Sequence, residues 1–242
     1  PGFESSGNKA TVPTMFKVIK GIKDNKDSYI KYIQKLSCGK TLLCKNINDL
    51  IYLSSFRGQK YTNNFEGMYI HRLTDINDIN YSYNFMSSYK QEIILDRIEK
   101  LLNSNLIDLN KFSSKDEFID NTLNILLNLK KSVLQHIQWY EFYTYNPNVV
   151  VTINDENTID KNGITILLFL YLMGFDVILF IPTCYTSIEN KISQEFSYDS
   201  HIIGEATYDI NIYDMEVTSN IEIAKQETKK QSFFNKIFNK EK

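Results

Sequence analysis

Asn148-Val149-Val150-Val151-Thr152-Ile153, an apolar stretch running to Met173, then Gly174-Phe175-Asp176-Val177-Ile178-Leu179-Phe180-Ile181-Pro182-Thr183-Cys184-Tyr185: this succession decides the fold. The first run is β-branched and follows Pro147, so it reads as a strand. Ile159 to Met173 reads as a buried helix with Thr158 as its N-cap, and Asp176 to Ile181 as a second, fully buried strand. The crossover between the strands exceeds twenty residues, which excludes a tight hairpin and permits parallel pairing. A right-handed βαβ unit is the expected topology. The fold class read from it is α/β, with a Rossmann-like βαβ unit and parallel sheet in the carboxyl-terminal part and a helix-rich amino-terminal part.

Outward from this unit, Gln91 to Leu102 carries Ile93, Ile94, Ile98 and Leu101 on one amphipathic face and reads as a helix. Ser113 or Ser114 can cap the next one, which keeps helical period from Phe118 to about Tyr140 and is the longest helix expected. Asp27 to Leu36 has helical spacing as well. An apolar stretch from Met15 to Ile22 closes at Gly21, and the apolar patches Thr41–Leu43 and Asp49–Leu53 are too short for periodicity to separate strand from helix. His201–Ile203 and Thr207–Tyr213 are candidate short strands near the end. The organisation that follows is a linker over 1–12, an α/β domain over 13–224 (helical part about 13–145, βαβ part about 146–215), and a basic amphipathic tail over 225–242.

Composition narrows the function classes. With 43% hydrophobic and 13% aromatic residues the chain can bury a real core, and a net charge of −2 gives no basic excess of the kind that binds duplex nucleic acid. The cations are almost all lysine, Arg57, Arg72 and Arg97 being the only arginines, so few bidentate clamps exist for phosphate or carboxylate. Cys38, Cys44 and Cys184 do not form a secreted disulfide pattern, and the longest apolar run, Ile164 to Met173, is half a bilayer span. A cytoplasmic location with no transmembrane segment is expected. The opening Pro1-Gly2-Phe3-Glu4 without methionine fits a piece of a longer protein.

Ligands of parallel α/β sheets bind beyond the carboxyl ends of the strands, where this chain places Pro182, Thr183, Cys184 and Tyr185. Thr186 followed by Glu189 matches a capping box, so a helix is expected to start there with its free N–H groups facing the loop, an arrangement that holds phosphate or carboxylate without arginine. The plainer alternative is that these residues only cap a helix and end a strand. The first strand ends in Asn154-Asp155-Glu156-Asn157, on the same sheet edge; carboxylates there, Asp155 and Glu156, could hold a metal or a ribose hydroxyl, though such clusters more often serve turns. The candidate ligand-binding residues are Thr183, Tyr185, Thr186, Asp155 and Glu156. No catalytic residue is assigned, no metal site is expected, and no cofactor can be named.

Other motifs lead away from familiar chemistries. Ser37-Cys38-Gly39-Lys40-Thr41 resembles the end of a P-loop, but Gln34 stands where the first glycine is required. No dinucleotide, nucleophile-elbow or zincin pattern occurs. His71, His136 and His201 are far from one another and from the cysteines, and His136 beside Trp139 reads as a packing residue. Asp176 after Gly174 reads as a turn cap. The tail carries six lysines and two glutamates with Phe233, Phe234, Ile237 and Phe238 on one helical face; it reads as a frayed terminus or as a helix docking on a membrane surface or a protein partner.

The Val149–Ile153 strand, the Gly174-Phe175-Asp176-Val177-Ile178 block and Pro182-Thr183-Cys184-Tyr185 with Ile188-Glu189 resemble the carboxyl-terminal part of the YceG-like bacterial family, and Thr11-Val12-Pro13-Thr14-Met15-Phe16-Lys17 resembles the opening of that half. The family is described as a component of a biosynthetic module associated with tellurite resistance. The resemblance spans residues 11–215 and implies a stress-response context, with synthesis or transfer of a small phosphorylated, nucleotide-like or sugar-like metabolite. The family pattern has glycine where this chain has Cys184, which puts a side chain where backbone would approach a ligand. The competing expectation is a non-catalytic scaffold or adaptor that docks through its helices or its tail.

Overall fold

A computed structural model describes residues 4–6, 9–11, 13–37, 41–45, 47–51, 65–66, 69–70, 83, 85–140, 146–154, 159–185, 188–208 and 210. In chain order the elements are β1 (Glu4–Ser6), β2 (Lys9–Thr11), β3 (Phe16–Lys20), α1 (Lys26–Leu36), β4 (Thr41–Cys44), β5 (Phe65–Glu66), β6 (Tyr69–Ile70), α2 (Ser88–Leu102), α3 (Lys115–Leu126), α4 (Lys131–Trp139), β7 (Asn148–Thr152), α5 (Lys161–Leu172), β8 (Asp176–Ile181) and β9 (Asp199–Ile202). β1 with β2 and β5 with β6 form small antiparallel ribbons. The rest of the strands form one all-parallel sheet in the order β4-β7-β8-β3-β9.

β7, α5 and β8 are the βαβ unit read from the sequence, with β7 and β8 paired from Asn148↔Asp176 to Thr152↔Phe180. α5 starts one residue beyond Asp160, whose side chain accepts from Gly163 N–H at 2.8 Å, so Asp160 and not Thr158 is the cap. Gly163 is required there, since a Cβ would sit 2.5 Å from the Ile159 side chain. Residues 163–170 of α5 are buried all round, because the helix lies between the sheet and the α2–α3 layer. The sheet also takes β3 and β4 from the amino-terminal half. β3, unassigned as to type in the sequence, lies between β8 and β9.

Strand order fixes the layers. The crossover β3–α1–β4 runs in one direction along the sheet, and those from β4 to β7, β7 to β8 and β8 to β9 run in the other. Right-handed crossovers of opposite direction put their helices on opposite faces. Accordingly Tyr29 and Ile33 of α1 pack with Ile19, Val150, Ile178 and Phe180, whereas Val18, Val149, Val151, Val177, Leu179 and Ile181 face the core shared with α2, α3, α4 and α5. Asp176 secures the opposite, amino edge of the sheet: its Oδ1 accepts from Met15 N–H at 2.8 Å and Asn146 Nδ2 at 3.3 Å, the structural role its place after Gly174 indicated.

Two helix expectations need correction. The long helix from Phe118 to Tyr140 is two helices, because Leu129 forms a β-bridge with Ile51 and Lys130 N–H donates to Leu50 O at 2.9 Å. Tertiary pairing thus overrides a continuous helical period. The helix expected to start at Thr186 is also not formed among the described residues: 188–191 make turns, Ile192 bridges Ile107, and the Glu189 carboxylate folds back on Ile188 N–H at 3.0 Å. Its N-terminal anion site goes with it. Ser114 does cap α3, accepting from Glu117 N–H at 3.1 Å.

Candidate functional site

Adjacent strands whose outgoing connections leave toward opposite faces create a crevice at their carboxyl ends. Here those strands are β8 and β3. β3 leaves through Lys20-Gly21-Ile22 toward α1, and β8 leaves through Pro182-Thr183-Cys184-Tyr185 on the other side. β7 ends beside them in Thr152-Ile153-Asn154.

The β8 loop is a tight turn in which Cys184 N–H donates to Ile181 O at 3.1 Å. Thr183 is buried, 4% exposed, and its hydroxyl accepts from Tyr185 N–H at a long 3.4 Å; Tyr185 is 44% exposed. Cys184 has φ +57°, the left-handed region that favours glycine. Its side chain is turned inward rather than over the loop: a Cβ on Gly21 would lie 3.1 Å from its Sγ. Gly21 itself has φ +75°, and its N–H donates to Ile181 O at 2.9 Å. Gly204 packs so closely behind it that a Cβ there would meet the Ile22 carbonyl oxygen at 1.9 Å. Thr207 N–H closes the edge by donating to Pro182 O at 2.8 Å.

Lys20 and Glu189 form an ion pair at this edge, with side chains 13% and 29% exposed. Burial alone would raise the Glu189 carboxyl, but the Lys20 hydrogen bond and charge, with backbone N–H groups of Glu189 and Ile188, outweigh it and hold the carboxyl below the ordinary range. In the β3–β8 register Lys20 stands opposite Ile181, so the pair lies on the multi-helix face. On the α1 face, Tyr29 meets Phe180 edge-on at 5.8 Å between centroids, and Tyr32, half exposed, does so at 6.0 Å. Burial first, and the neighbouring Cys184 second, push the Tyr29 phenol far above its usual value, so it is a neutral hydrogen-bond donor. Thr152 Oγ1, Asn154 Oδ1 and the Tyr29 hydroxyl are buried without a hydrogen-bond partner.

Of the sequence candidates, Thr183 and Tyr185 lie in the crevice, and Asp155, Glu156 and Thr186 fall outside the described residues. Lys20, Tyr29 and Thr152 carried no signal of their own in the sequence. The identification of β3 as the neighbour of β8 would have raised Lys20. Among the described residues, no group of three or more His, Cys, Asp or Glu could hold a metal ion, and no helix is long and apolar enough to cross a membrane. His136 Nδ1 lies 2.8 Å from Ser132 O within α4, away from this edge, and Cys44 is a buried core residue.

Sheet and edge together define an α/β protein with a parallel sheet and a crevice at the topological switch point. Its sequence carries the YceG domain, matched over residues 1–207, and the chain belongs to that family. No curated protein and no solved structure matches it.

Proposed function

We propose that this YceG-family chain works in a stress-response biosynthetic module of the tellurite-resistance type, as a transferase-like enzyme that binds a small phosphorylated or nucleotide-type ligand at the carboxyl edge of β8 and β3. The observation that carries the reading is the convergence there of the Pro182–Tyr185 loop with the Lys20–Glu189 ion pair. Lys20 supplies the positive charge for a phosphate, Glu189 holds its ammonium in place, and Thr183 and Tyr185 contribute polar groups from the loop. Asp155 and Glu156, which continue the chain past the end of β7, would face the ligand from the neighbouring strand.

A thermal-shift screen against nucleotides, nucleotide-sugars and phosphoribosyl compounds, with and without magnesium, tests this, because a ligand of the folded state raises Tm. A stabilisation in the wild type that Thr183→Ala and Lys20→Met both remove supports the site. An unresponsive wild type refutes it and favours the adaptor reading, which draws on the exposed aromatic side chains Phe85, Tyr89 and Trp139 on the α2–α4 side.

A further inference from the structure

Buried polar atoms without partners are rare, and where they gather they mark a place whose hydrogen bonds are completed by something else. Gln91 Oε1, Arg97 Nε and Thr122 Oγ1 are such atoms in α2 and α3. Tyr29, Thr152 and Asn154 differ in being grouped around one residue of the sheet edge. Thr152 is the register partner of Phe180, so both side chains emerge on the same face, and Tyr29 packs edge-on against that ring. Ile153 N–H still donates to Phe180 O at 2.9 Å, which keeps the chain paired one residue past Thr152, and strand alternation continued to Asn154 would return it to the Thr152 side. Thr152 and Tyr29 are 2% and 3% exposed.

From this grouping we infer that the α1 side of the crevice binds the uncharged, hydrogen-bonding half of the ligand, a sugar or nucleoside moiety, through Tyr29, Thr152 and Asn154. The inference rests on the ligand site proposed above and divides it. Lys20 and Glu189 take the anionic half on the multi-helix face; the α1 face offers a phenol donor, a hydroxyl that both donates and accepts, and an amide oxygen that accepts. Those groups complement hydroxyl and amino groups rather than a phosphate, which brings only acceptors to a neutral site. Tyr32, its ring against the same Phe180 and half in solvent, offers a face that can stack on a sugar or base.

The test uses the full chain with adenosine, uridine and D-ribose as uncharged probes, and ribose 5-phosphate and inorganic phosphate as charged ones, read by calorimetric titration alongside Tm. Thr152→Val and Tyr29→Phe should each weaken the uncharged probes about tenfold, leave inorganic phosphate binding unchanged, and fold with a Tm no lower than wild type. Thr152→Ser should restore binding. Adenosine or uridine binding in preference to ribose identifies a nucleoside moiety, and the reverse a free sugar. Uncharged probes that bind both variants as they bind wild type overturn the inference while phosphate binding, lost in Lys20→Met, leaves the site itself standing. A lowered Tm in Thr152→Val with unchanged probe binding also overturns it, by showing that the hydroxyl is structural. If no probe of either kind binds the wild type, the ligand site and the inference fall together.

Discussion

Thr152→Val should stabilise the protein. Thr152 is 2% exposed at the carboxyl end of β7, its Oγ1 has no hydrogen-bond partner, and it continues the strand-forming run Val149-Val150-Val151. Valine has nearly the same shape, so the exchange opens no cavity. It removes the cost of a buried unsatisfied hydroxyl, about 1–3 kcal/mol, and replaces it with an apolar methyl that gains about 0.8 kcal/mol by burial. Strain around the new methyl and the unfolded-state reference reduce the sum, leaving a net gain of about 1–2 kcal/mol. For a chain of this size that corresponds to a Tm rise of about 3–6 °C. Urea titration at pH 7 followed by circular dichroism should show a higher midpoint with an unchanged slope. A loss of about 1 kcal/mol or more would refute the reasoning, because it would mean that the hydroxyl is hydrogen-bonded in solution, for instance to a trapped water.

Further outcomes follow from other contacts. Asp176→Ala strips the acceptor from Met15 N–H and Asn146 Nδ2 at the amino edge of the sheet and should cost about 1–3 kcal/mol in urea titration, with Asp176→Asn recovering part of it. Gly204→Ala should cost about 3 kcal/mol, seen as a lowered urea midpoint, because its Cβ would meet backbone atoms of Ile22 and Lys23 at 1.9 to 2.9 Å and no side chain can give way. The Lys20–Glu189 pair sets a pH dependence. The Glu189 carboxyl is held below its ordinary value in the folded state, so its contribution is present above the unfolded pKa of about 4.3 and is lost as pH falls through the lower folded value. The stability gap between wild type and Lys20→Met, measured from pH 7 to pH 3, should therefore narrow below about pH 4.3; a gap that stays constant would show that the pair does not titrate as described.

The β7–α5–β8 unit was legible because each run has one environment: strands buried on both faces become β-branched and apolar, and a helix buried all round becomes continuously hydrophobic. β3 was not legible, although it is equally central. Lys17 and Lys20 interrupt its apolar residues, and Lys20 can be there because Glu189, 169 residues away, pairs with it. A local window cannot see that partner. The single helix read from Phe118 to Tyr140 failed for a related reason, since Leu129 satisfies the helical period and the bridge to Ile51 equally well. In the crevice, Pro182 to Tyr185 could be read from strand order alone, but the residues facing them depend on β3 being inserted between β8 and β9, a register that no residue of β3 advertises.

That insertion also bears on the size of the proposed ligand. Side chains alternate along β3, so Ile19 and Lys20 leave the sheet on opposite sides: Ile19 with Phe180 toward α1, Lys20 with Ile181 toward the other helices. The ionic pair and the three unpaired neutral groups are thus separated by the sheet itself, and they approach each other only over its carboxyl edge, above Pro182 and Thr183. A ligand that engages both halves must straddle that edge, as an extended nucleotide or nucleotide-sugar can. The Cys184 Sγ lies against Gly21, where β3 leaves the sheet, so the side chain of Cys184 sits beside the path that such a ligand would take over the edge.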